Sequence, residues 1–137
     1  MQLNKDLGGF NPYDNLIASN RFVAEVKTVR VKSNQGIIKK GTVLQLNEGK
    51  EEVNGQPILS ILDGNGTADC IVVDDYDTDI PSNTVSSIVL TAYETGHFNR
   101  LALIVKDGYN ISPSDETALR YGGIILSNSV SKRGGER

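Results

Sequence analysis

The sequence predicts a mainly β domain with one short helix near 113–121 and an extended N-terminal arm. Three observations predict it. Short Val- and Ile-rich runs recur at roughly 8–12-residue spacing between turn signals. A single stretch, Ser112 to Gly123, carries helix start and stop signals. The first twenty residues carry turn breakers instead of a periodic pattern, yet keep apolar side chains. Strands do not alternate with long helical segments, which argues against a βαβ fold.

Taken in order, 1–21 reads as an arm. Gly8-Gly9, Asn11-Pro12 and Asp14-Asn15 break regular structure. Phe10, Tyr13, Leu16 and Ile17 are apolar anchors that a purely disordered tail would not need. Fully extended, such an arm reaches on the order of 65 Å. A β domain over 22–130 follows. "RFVAEVKTVRVK" alternates Val with polar residues as a half-buried strand does. "SNQG" is a turn. In "IIKKGTVLQL", Lys40-Gly41 reads as a tight entry and Thr42 to Leu46 as a strand. "NEGKEEVNGQ" is a polar loop holding Asn54-Gly55, a strong hairpin signal. "PILSIL" and "ADCIVV" are short buried strands separated by the turn "DGNG". Residues 74–83 read as a long acidic loop, and Thr84 to Tyr93 as a strand. The "ETG" that follows reads as a three-residue hairpin loop, with Gly96 at its left-handed position and "HFNRLALIV" as the return strand.

The helix has a Ser112 N-cap, Pro113 at its first position, Asp115 and Glu116 in the first turn, and Arg120 in the last. Gly122-Gly123 supply the left-handed stop. Ile124 to Val130 is the last strand, and 131–137 is a charged C-terminal tail.

Composition narrows the function classes. The chain has 137 residues, the size of one domain, and 38% are apolar. That is below the usual ~45–50%, which also counts Gly, and fits a modest core or a partner-covered surface. A net charge of −3 with both signs interspersed gives no basic face for nucleic acid. No run of ~18 apolar residues spans a membrane. The N-terminus has no basic-then-apolar order, so it does not read as a secretory signal.

Chemistry is sparse. Cys70 is the one cysteine and lies in an apolar run, so it reads as a buried structural thiol. His97 is the one histidine. Catalysis there would need a partner such as Glu94 at hydrogen-bond distance, but the hairpin reading makes it an ordinary strand residue. Asp63, Asn65, Thr67, Asp69, Ile71 and Asp74 fall at calcium-loop positions one, three, five, seven, nine and twelve. The match fails at position six, Ala68 where Gly is required, and at position twelve, Asp74 where the bidentate Glu belongs. Asp74, Asp75, Asp77 and Asp79 read as a solvated acidic loop. No phosphate-cradling glycine motif is present. The residues thus show no catalytic residue, no metal site and no cofactor motif, and what remains is a compact β domain with an anchored arm, a shape suited to assembly and expected not to be an enzyme.

Four pieces of the sequence carry a resemblance: "YDNLIASN" (Tyr13 to Asn20), "IIKKGTVLQL" (Ile37 to Leu46), "GQPILSILDGNGTADCIVVDDYDT" (Gly55 to Thr78), and "YETGHFNRLALIV" followed by "ALRYGGIIL". In order and spacing, over about 110 residues, they resemble the head decoration protein family of tailed phages, the lambda protein D-like capsid cement proteins. Gly41, Thr42, Gly96, Phe98, Asn99 and Gly123 are the positions that match its motifs. Leu46 departs from it, where many members have a second Gly, and His97 stands where an acid is more frequent.

The resemblance implies a β-clip-like domain of short strands in a partial barrel. It implies a capsid decoration protein that binds as homotrimers to the major capsid protein. The place would be the outer surface of an expanded phage head, at three-fold and quasi-three-fold points, stabilising it against DNA pressure. It also implies a virion protein assembled in the host cytoplasm, without nucleic-acid or membrane partners. The capsid-binding arm would carry Phe10, Tyr13, Asp14, Leu16 and Ile17. An alternative is a small β binding module of the virion, on the tail or binding surface glycans.

Overall fold

The computed structural model describes residues 16–19, 23–47, 52–79 and 87–128. Eleven strands and one α-helix are described: β1 (Ile17–Ser19), β2 (Val26–Lys32), β3 (Ile37–Ile38), β4 (Val43–Asn47), β5 (Glu52–Val53), β6 (Gln56–Ile61), β7 (Gly66–Val72), β8 (Tyr76–Asp77), β9 (Ser87–Tyr93), β10 (Gly96–Asn99), α1 (Pro113–Gly122) and β11 (Ile124–Ser127). The protein is mainly β with one helix, as its sequence predicts.

The largest sheet runs β2-β9-β7-β4-β6-β5. Strand β2 also pairs with β6, so five of these strands form a ring. Four junctions of the ring are antiparallel. Strands that alternate in direction cannot close an odd-numbered ring, so one junction must be parallel. That junction is β2–β6, held by Arg30↔Ile58 and Val31↔Leu59. A second sheet, β11-β10-β1, lies outside the ring, and β3–β8 form a two-stranded ribbon.

The apolar runs now have a physical cause. Val43–Gln45 of β4 and Cys70–Val72 of β7 are buried on both faces, because they stand between two cores. Leu44, Cys70 and Val72 point into one core with Val29, Val31, Leu59, Leu90 and Ala92. Val43, Ala68 and Ile71 point into the other with Leu16, Phe98, Leu119 and Ile124. Period-two alternation sends Val43 and Leu44, and Cys70, Ile71 and Val72, to the two cores in turn, and a bulge at Asp69 puts Ala68 on the side opposite Cys70.

Helix α1 closes the second core through the buried Leu119. Its ends follow from local chemistry. The Ser112 Oγ accepts from the Asp115 N–H, and the Asp115 carboxylate accepts from the Ser112 N–H, a capping box. Gly123, at φ +107°, ends it in the left-handed region. Tyr109 donates its hydroxyl to Asp115 and so ties the preceding loop to the helix start.

Three local expectations are corrected. Strands β9 and β10 do not pair, so Glu94-Thr95-Gly96 is not a hairpin loop: β9 belongs to the ring and β10 to the outer sheet. The triplet is a corner between sheets. Its Thr95 Oγ1 donates to the Val23 carbonyl and accepts from the Glu25 N–H. The return strand also ends early, at Asn99. The Asn99 side chain accepts from Leu101 N–H and turns Arg100–Ala102 into a 3-10 turn. Finally, the acidic stretch is not all loop, since Tyr76–Asp77 pair with Ile37–Ile38.

Candidate functional site

Gly41, Phe98 and Asn99 meet at one residue, Leu16, immediately before β1. Leu16 is only 3% exposed. Its carbonyl accepts from the Asn99 N–H at 2.7 Å. Strand β1 then runs antiparallel to β10, with Ile17 opposite Phe98 and Ser19 opposite His97, and a bulge between His97 and Phe98.

Phe98 is fully buried in the same core, its ring tilted against Tyr93 at 5.1 Å. Gly96 has φ +144°, and a Cβ there would meet the Phe98 ring at 2.8 Å. Gly is required for both reasons. Gly96 N–H donates to the Gly123 carbonyl. The helix stop and the start of β10 are therefore one contact.

Gly41 and Thr42 close the other side. A Cβ on Gly41 would stand 3.6 Å from Leu16 Cδ1 and 3.0 Å from the Ala102 carbonyl, and its φ is +94°. Gly41 N–H donates to Val72, and its carbonyl accepts from Ile104. The buried Thr42 bridges to Ile104 in parallel and donates its hydroxyl to Lys39. Gly41 and Phe98-Asn99, distant in sequence, form the seat of Leu16, while Gly96 and Gly123 shape the layer behind it, against Phe98 and Thr95.

The other arm residues divide. Ile17 is 38% exposed. Phe10, Tyr13 and Asp14 lie outside the described residues, as does the tail 131–137. Leu16 and β1 fall within the stretch read as arm, but they pack and pair within the domain.

The candidate chemical groups have structural partners. His97 Nε2 and Ser127 Oγ lie 3.0 Å apart across the parallel β10–β11 pair. Cys70 is wholly buried, and burial, with Asp69 next to it, pushes its thiol pKa far up. Of the calcium-like set, Thr67, Asp69 and Ile71 lie on an extended strand, which spaces alternate residues on the order of 6.6 Å apart along the chain instead of wrapping them around one cation. Among the described residues no group of three or more His, Cys, Asp and Glu side chains is placed to share a metal ion. The acidic stretch instead binds backbone: Asp75 accepts from Lys40 N–H and Asp79 from Gly36 N–H. These carboxylates fasten 36–41, the approach to Gly41.

Three features were not foreseen. Gln45, buried, donates to Asn47, Ser60 and Asp63 and accepts from the Asp63 N–H. Arg100 makes a two-pronged ion pair with Glu116 at 2.6 Å, locking the 3-10 turn to α1. Lys27 pairs with Asp69 at 2.9 Å beside a cleft of about 330 Å³, floored by Val29 and Leu59. Burial opposes the Lys27 charge, but Asp69 outweighs it and raises the ammonium pKa. Only a polar residue at an alternating strand position, such as Gln45, hinted at any of these.

Compared with models of known protein families and with curated proteins, the chain matches none. Among the described residues no helix is long and apolar enough to cross a membrane.

Proposed function

We propose that this protein is a capsid decoration protein: a non-enzymatic cement that binds the outside of an expanded tailed-phage head as homotrimers, at three-fold and quasi-three-fold positions. The observation that supports the reading is that Gly41, Phe98 and Asn99, three of the resemblance-bearing residues, meet at Leu16. The mainly β domain with one helix is compatible with the same family.

The mechanism follows from that base. An extended segment gains affinity by adding backbone hydrogen bonds to a shell strand, and alternating anchors give specificity. In this reading Phe10, Tyr13 and Asp14 face the major capsid protein, with Ile17 at the domain edge. Leu16 acts inside the domain as the fixed point against which the arm pulls. Three arms on one trimer convert weak single contacts into avid binding, because the second and third events are intramolecular. Ordering an arm lowers the net affinity of each contact, and avidity compensates for that loss.

The experiment is co-sedimentation of the full-length protein with expanded, undecorated heads of its own phage, alongside native mass measurement. Saturable binding in multiples of three per three-fold position supports the reading. Failure to bind such heads refutes it, and saturable binding on a glycan array would instead favour the small virion binding module.

A further inference from the structure

The chain contains two Asn-Gly pairs, Asn54-Gly55 and Asn65-Gly66, which its sequence does not distinguish. Asn-Gly is chemically labile, because a glycine amide has no Cβ to shield it from the neighbouring Asn side chain. We infer that Asn54 is a site of spontaneous deamidation in the native protein, while Asn65 is protected by the fold. This does not rest on the proposed function.

The two sites differ in backbone freedom. Asn54 and Gly55 are the whole two-residue loop between β5 and β6, and both are exposed. Their φ values are +53° and +82°, as in a type I′ turn. Attack by the Gly55 nitrogen on Asn54 Cγ needs ψ of Asn54 near about −120°, the type II′ value. A flip of the single 54–55 peptide interconverts the two turns and leaves the Val53↔Gln56 pair in place. Gly55 follows that flip without steric cost, and the strain falls on Asn54, which passes through a conformation that hairpins reserve for glycine. The space is open too, since nothing lies within 4 Å of where a Gly55 Cβ would stand.

At the second site the same flip is blocked. Gly66 is the first residue of β7 and pairs with Asn47. The Leu46 carbonyl oxygen packs 2.2 Å from the position a Gly66 Cβ would take. Asn65 N–H is held by Asp63 Oδ1 at 2.9 Å. Turning that peptide breaks the ladder at the mouth of the ring.

The reaction is balanced with water alone. The Gly55 N–Asn54 Cγ bond forms, Cγ–Nδ2 breaks, and ammonia leaves carrying the Gly55 amide proton. Water then opens the succinimide. Attack at Cγ leaves an ordinary aspartate in place of Asn54. Attack at the main-chain carbonyl gives an isoaspartyl linkage. The first adds a negative charge next to Glu52. The second adds a backbone carbon to a two-residue loop and shifts the Val53↔Gln56 register. Gln56 is the residue whose side chain holds Arg30 and the Thr28 carbonyl across the parallel junction.

The test ages full-length native protein at physiological temperature and mildly alkaline pH, with a parallel sample in urea. Chymotryptic peptides separate the two sites, and each product is about 1 Da heavier than its parent. In native protein Asn54 converts faster than Asn65 by about tenfold or more, the factor implied by losing one or two ladder hydrogen bonds. In urea the two rates agree within about twofold, since neither turn survives unfolding. Equal native rates would overturn the inference, and so would an Asn54 that converts in urea but not in the folded protein.

Discussion

Replacing Leu16 with Ala tests whether the arm's base belongs to the domain. The side chain is 3% exposed, between Phe98 and the Gly41 turn. Truncation removes three buried carbons, worth about 2.4 kcal/mol at about 0.8 kcal/mol each. The rigid surroundings limit collapse, because Gly41 is held by backbone hydrogen bonds on both sides and Gly96 N–H is held by the Gly123 carbonyl. A residual cavity therefore adds to the loss, which brings the total to about 3 kcal/mol, inside the range for buried Leu→Ala. For a chain of this size that lowers Tm by roughly 10 °C. Urea unfolding followed by circular dichroism measures it: the midpoint should fall by roughly 1–2 M with the slope unchanged. A midpoint within error of wild type would show that Leu16 frays independently of the domain and would refute the seat.

Other expectations follow from single contacts. Ser112→Ala removes the capping box and should destabilise by about 1 kcal/mol in the same assay, with Ser112→Gly costing less. Cys70 should resist an aromatic disulfide reagent in the folded protein and react fully on unfolding, since both burial and its raised pKa suppress the thiolate. Native reactivity would contradict the closed ring. The Asp63 carboxyl is held below its usual pKa, chiefly by the Asn65 N–H, with Gln45 adding to it. A depressed folded pKa gives stability that is complete above the unfolded value of about 4 and is lost as pH falls through the folded value. Asp63→Asn should therefore flatten the stability loss below about pH 4 in acid titrations monitored by circular dichroism. An unchanged acid limb would assign that loss to other carboxylates.

Where structure is set by neighbours in sequence, it was legible. Helix α1 begins at Pro113 and stops at Gly123 because Ser112, Asp115 and Gly123 act within one turn of each end. The Asn54-Gly55 turn is equally local, whereas the strand Glu52–Val53 that it joins to Gln56–Pro57 lay in a stretch read as polar loop. The corner at Glu94–Gly96 was misread because its partners are remote: Glu25 and Val23 hold Thr95, and Gly123 holds Gly96. A glycine after two turn-prone residues looks alike in a hairpin and in a crossing between sheets. The 3-10 turn at Arg100 was hidden by the apolar run after it, and only Asn99's side chain reverses that expectation.

The parallel closure of the ring depends on Val31 meeting Leu59, which no local pattern encodes. At the candidate site, Gly41, Gly96, Phe98, Asn99 and Gly123 were visible one by one. That Gly41, Phe98 and Asn99 meet at Leu16 was not, since the contacts join segments up to 83 residues apart (99 − 16). The consequence is practical. A truncation at residue 20 removes β1 and part of a core along with the arm, so lost binding would not distinguish the two.

The most direct measurement is therefore binding of a variant lacking residues 1–15 to expanded, undecorated heads, with full-length protein in parallel. Leu16 and β1 remain, so thermal unfolding should match the full-length protein. The account predicts that this folded variant no longer co-sediments with the heads, whereas full-length protein saturates them. Undiminished binding by the variant would contradict it and move the capsid contact to the domain itself.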